Sequence, residues 1–119
     1  MKQLVLLAMA IGVCAAAPPG VIIDHVPKST GQYIGSPSIT ILKNGDYVAS
    51  HDFFGPKSTQ GVSAVSRVFV STDKGRTWSK TAEFSDQFWS NLFLHRGMLY
   101  LMGCTNEYGR PVIRRSLDN

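Results

Sequence analysis

The strongest constraint on this chain is a strand-and-turn unit that runs through once and then starts again. Residues 38–42 are a β-rich run, Lys43-Asn44-Gly45-Asp46 a turn, and 47–50 a second run. Asn-Gly between two apolar stretches is a strong hairpin signal, because both turn positions tolerate a left-handed backbone. Residues 52–61 carry Gly55-Pro56, Ser58 and Gly61 and read as a loop. Residues 64–71 alternate, with Val65, Arg67 and Phe69 on one side and Ser66, Val68 and Val70 on the other, which predicts a third strand. A turn over 72–77 and a fourth strand over 78–82 complete the unit. The order then returns as a strand over 90–94, a turn at His95-Arg96-Gly97, a strand over 98–103, a loop over 105–110 and a strand over 112–116.

No stretch after the first 17 residues keeps a helical period, so the fold class is all-β. The hairpin glycines Gly45 and Gly97 are 52 residues apart, and the Ser-x-Asp turns at Ser71 and Ser116 are 45 apart; the extra seven residues belong to the first unit's middle loop. Four-stranded antiparallel units at this period describe the blades of a β-propeller. The first blade is expected over about 33–83 and the start of a second over about 88–119. An array of this kind needs roughly three or more repeats, so the chain is expected to be the N-terminal piece, about one and a half to two blades, of a longer propeller.

The start of the chain stands apart. Lys2, an apolar run over 4–13 and Cys14-Ala15-Ala16-Ala17 before Pro18-Pro19 have the form of a cleaved secretory signal over 1–17. The run is short for a bilayer span, which predicts a secreted or periplasmic protein with no membrane span once the signal is removed, its propeller domain occupying 18–119. Cleavage there leaves Cys104 alone and excludes a disulfide-stapled fold. Charged residues make up 17% and hydrophobic residues 44%, which argues against disorder. The net charge of +4 is scattered, with one tight cluster at Arg110, Arg114 and Arg115, so no nucleic-acid partner is expected. His25 and His95 have no companion at ligand spacing, and neither a metal nor a cofactor is expected.

Ser71-Thr72-Asp73-Lys74-Gly75-Arg76-Thr77-Trp78 fits the pattern Ser-x-Asp-x-Gly-x-Thr-Trp. It resembles the Asp box of the sialidase (BNR-repeat) superfamily, and Ser116-Leu117-Asp118 looks like the opening of a second copy. Ser36-Pro37-Ser38-Ile39 is similar to that family's first-strand signature, so the resemblance spans most of the chain after the signal. The box is a fold marker: Asp73 can accept bonds from turn amides, Gly75 can take a positive φ, and Trp78 can pack back on the blade. What the resemblance implies is an exported exo-glycosidase, exo-α-sialidase-like, that removes terminal sugars from glycans. In that family an arginine triad holds the substrate carboxylate, since a guanidinium fork matches it. The place of the first arginine falls on Gly35, and that of the acid aspartate on Ser63, Ala64 and Val65, where no carboxylate stands. The tyrosine nucleophile and its glutamate partner would lie beyond residue 119.

Alternative chemistry is available on the loops expected opposite the Asp box. His51 beside Asp52 could act as general acid or base, as histidine does in propeller rhamnosidases and polysaccharide lyases that resemble this fold. Equally, Asp52 could cap a turn and His51 merely end a strand. Phe53, Phe54 and Trp89 could stack on sugar rings, and Glu107, Tyr108 and Arg110 could meet hydroxyls or a uronate; packing between blades and a solvated loop are the plainer readings. The expected partner is a glycan or oligosaccharide. A non-catalytic glycan-binding propeller stays open beside the enzyme readings.

Overall fold

The structure is a computed structural model that describes residues 19–117. The signal expected over 1–17 and Asp118 of the second Ser-x-Asp turn lie outside the described residues. The chain is all-β: β1 (Tyr33–Ile41), β2 (Tyr47–Phe54), β3 (Val65–Ser71) and β4 (Ser79–Ser85) form one antiparallel sheet in sequence order. β5 (Phe88–His95), β6 (Met98–Cys104) and β7 (Pro111–Arg115) form a second sheet of three strands. A 3-10 turn, Lys28–Thr30, precedes β1.

The sheets pack face to face through Val48, Val68, Leu92 and Leu101, with Leu42, Val70, Ala82, Phe84 and Leu99 around them. These are the alternate residues of β2, β3, β5 and β6, so period-two patterning alone aims them at one another. The first strands abut: Leu92 N–H donates to Ser38 Oγ at 2.9 Å, tying β5 to β1.

Several strands run longer than their sequence predicts, β1 and β2 most of all. β1 begins at Tyr33, because a bulge between Gly35 and Ser38 absorbs Ser36 and Pro37 without ending the pairing. β2 continues through Phe54, and the loop expected from residue 52 starts at Gly55. Aspartate disfavours strands, but Asp52 is paired on both sides, with Gly35 and with Ser66, and this tertiary pairing overrides the local preference.

The two sheets repeat one another in detail. β5 carries the same bulge, between Phe88 and Asn91, and Trp89 within it has φ 49°, as Ser36 has in β1. Tyr47, two residues past Gly45, pairs with Ser71; Ser116 N–H donates at 3.0 Å to the carbonyl of Leu99, two residues past Gly97. Ser116 thus stands in the second sheet where Ser71 stands in the first.

Candidate functional site

Antiparallel order puts the 42–46 and 72–78 turns at one end of the first sheet and the 55–64 loop at the other. The Asp box closes the first end from within. Ser71 Oγ donates to Asp73 Oδ1 at 2.7 Å, Thr77 N–H to the same oxygen at 2.9 Å, and Thr77 Oγ1 to Asp73 Oδ2 at 2.7 Å. Gly75 takes φ 86°, which spares the turn a strained side chain, and its N–H donates to Ser71 Oγ at 2.8 Å. Trp78 Nε1 donates to Gly75 O at 3.1 Å. The Thr77 hydroxyl and amide, then Ser71, hold the Asp73 carboxyl far below the usual carboxylate range. Both carboxylate oxygens of Asp73 accept hydrogen bonds from within the turn.

At the opposite end the loops of the two sheets form one shelf. Glu107 N–H donates to Gln60 O at 2.8 Å, Gln60 Nε2 to Glu107 Oε2 at 3.3 Å, and Asn106 Nδ2 to Val62 O at 3.1 Å. Glu107 is therefore partly occupied in joining the 55–64 and 105–110 segments. Tyr108 stands 88% exposed at the tip, and Arg110 is exposed with its N–H on Thr105 Oγ1 at 3.1 Å. Among the described residues no three His, Cys, Asp or Glu side chains are grouped to hold a metal ion.

His51 and Asp52 lie inside strand β2 and face opposite ways. His51 is 5% exposed, between Phe53 and Phe69, and its Nε2 lies 2.8 Å from Asp24 Oδ2. Arg67 Nη1 reaches the same oxygen at 3.1 Å, while Arg67 Nε holds Glu83 at 2.7 Å. Partial burial works to raise the Asp24 carboxyl, but the bonds from His51 and Arg67 outweigh it and the net shift is downward. His51 Nδ1 is enclosed and has no hydrogen-bond partner among the described residues. Sequence reasoning missed Asp24: it precedes His51 by 27 residues on a segment with no strand, and no spacing rule points to it.

Asp52 is fully enclosed at 0% exposure. Its Oδ2 accepts from Ser90 N–H at 2.7 Å, and its Oδ1 accepts from the Ser66 hydroxyl. The polar chain continues, with Ser66 Oγ 3.0 Å from Ser90 Oγ, Gln87 Nε2 donating to Ser90 Oγ at 3.1 Å, and Arg114 Nε donating to Gln87 Oε1 at 3.1 Å. Asp52 joins the sheets: it holds the backbone of Ser90 in β5 from across the interface. Burial, then the Asp52 charge, raises the Cys104 thiol nearby, which suits an inert cysteine.

The aromatic pair expected beside them is split. Phe53 is enclosed under the Arg67 guanidinium, 4.6 Å from its ring centre, so it offers no open face. Phe54 packs on Phe88 at 4.6 Å between centroids, and Phe88 stacks on Trp89 at 5.3 Å and 26°. The ladder ends in Trp89, which is 53% exposed.

The ladder also explains Gly35. A Cβ at that position would come within 2.5 Å of the Phe54 ring, so no side chain fits there unless the ring moves. Ala64, at the expected place of an acid, is enclosed, its carbonyl accepting from Gln87 N–H at 3.3 Å.

Comparison with protein-family models, with curated proteins and with solved structures finds no match for this chain. No helix among the described residues is long and apolar enough to cross a membrane.

Proposed function

We propose that this chain is the N-terminal part of a sialidase-like β-propeller, an exported carbohydrate-active protein that removes terminal sugars from glycans at the end opposite the Asp box. The observation that carries this reading is the repeat: two sheets with the same bulge, hairpin and third-strand register, packed face to face. The loops tied together at one end supply the rigid shelf on which such folds place ligand groups. Residues exposed on the outer side of the second sheet, Met102 and Ile113, belong to strands that match the covering strands β2 and β3 of the first, and further blades of the same kind would cover them.

A second reading, a glycan-binding propeller without turnover or an enzyme of rhamnosidase or lyase type, is favoured by one observation. Phe54 occupies the space an arginine at residue 35 would need. His51 is the acid–base candidate of this second reading, with Asp24 as its orienting carboxylate; Asp52 enters either reading as the clamp that ties β2 to β5.

The test is to express the intact reading frame, confirm by mass spectrometry a mature N-terminus between residues 15 and 18, and assay the product on aryl sialosides, aryl rhamnosides, uronate polymers and a glycan array. Release of sialic acid supports the first reading. Cleavage of another linkage, or binding without turnover, selects the second, and an absence of both binding and turnover defeats the proposal.

A further inference from the structure

Among the described residues Trp89 is the one bulky side chain in a strand that stands on a left-handed backbone, with φ 49°. L-residues avoid this region unless their surroundings hold them there, and such outliers gather at ligand sites. The surroundings here do hold it. On one side Phe88, wholly enclosed, stacks beneath the indole at 5.3 Å and its carbonyl accepts from Cys104 Sγ at 3.5 Å. On the other side Ser90 N–H is fixed by Asp52 Oδ2 at 2.7 Å. The bulge is thus clamped at both flanking residues, and the residue between them is displayed half exposed. Bulges of this kind re-aim a side chain next to functional sites. The first sheet has the same device, but displays only Ser36.

The geometry points to Trp89 as the stacking platform for a sugar ring, with Asp52 as the positioning residue that keeps the platform raised; this rests on the carbohydrate reading above. An indole backed by a second ring offers one flat, rigid apolar face at low entropic cost. Its complement is a pyranose that presents a run of C–H bonds on one face and keeps its hydroxyls at the rim. The exposed shelf residues Tyr108 and Arg110 lie at the same end of the sheets and suit that rim.

The intact protein is first run on a glycan array, and the bound oligosaccharide is then titrated against wild type and variants. Trp89→Ala should weaken binding by on the order of tenfold or more, and Trp89→Phe by less. Trp89→Gly takes the left-handed backbone without strain, so it should melt no lower than Trp89→Ala while binding as poorly. In a Trp78→Phe background Trp89 is the remaining tryptophan of residues 1–119, and its emission should shift on saturation with the sugar. Asp52→Ala, which removes the acceptor of Ser90 N–H, should lower affinity and alter that emission in the free protein, and Asp52→Asn, which keeps an oxygen there, should do so less. Unchanged affinity in Trp89→Ala and Trp89→Gly, with a lowered melting temperature, overturns the inference and makes Trp89 a packing residue between blades. Failure of wild type to bind any glycan is the separate result that removes the carbohydrate reading, and the inference with it.

Discussion

Asp52→Ala isolates what joins the two sheets. The substitution removes the acceptor of Ser90 N–H, 2.7 Å away, and of the Ser66 hydroxyl. Ser66 can turn its proton to Gln87 O at 2.9 Å, so Ser90 N–H is the group left without a partner. An orphaned buried donor costs about 1–3 kcal/mol, and a hydrogen bond to a charged acceptor contributes about 1.5–3 kcal/mol. Release of an enclosed carboxylate from its desolvation penalty offsets part of this. A net loss of about 2–3 kcal/mol is expected, against about 1 kcal/mol or less for Asp52→Asn, which keeps an oxygen for Ser90. The assay is urea unfolding of the intact protein, where typical slopes turn that loss into a midpoint lower by on the order of 1 M. If Asp52→Ala unfolds within about 0.5 kcal/mol of wild type, the clamp contributes nothing and the account of the interface is wrong.

Asp73→Ala should lower the melting temperature and leave glycan affinity unchanged, since its carboxylate serves only the turn; a loss of affinity without a loss of stability would contradict this. The Asp24 carboxyl is lowered in the folded chain, so its contribution is present above the ordinary value of 3.8 and fades as pH falls through the folded value. Protection of residues 21–27 against hydrogen exchange, taken relative to the intrinsic rate at each pH, should therefore fall at the acid end of that window in wild type and already be lower at neutral pH in Asp24→Ala; equal protection in both would show that the Asp24 contacts do not hold the segment. Gly35→Ala forces Phe54 aside and should cost about 1–3 kcal/mol by overpacking, read by the same urea titration. An unchanged midpoint would mean the aromatic ladder yields freely.

What the chain determines locally is what a reader of its sequence can see. The Asp box closes through Ser71, Asp73, Gly75 and Thr77, all within four residues of their partners, so the motif and its geometry are one fact. Alternation in β3 predicts which residues enter the core, because the pleat sends successive side chains to opposite faces whatever lies beyond them. The bonds that organise the candidate site span much greater separations: Asp24 to His51 over 27 residues, Asp52 to Ser90 over 38 and Ser38 to Leu92 over 54. An aspartate near a strand end has the same local signature whether it caps a turn, works in catalysis or clamps a second sheet; its partners choose, and they arrive only when the sheets pack. The same holds for Phe53 and Phe54, adjacent in sequence and sent by the pleat to opposite faces, one under Arg67 and the other onto Phe88. Trp89 shows the limit most plainly. Nothing in Phe88-Trp89-Ser90 specifies a left-handed backbone, and it is the register between β5 and β6, pinned by Asp52 from across the interface, that lifts the indole out of the strand.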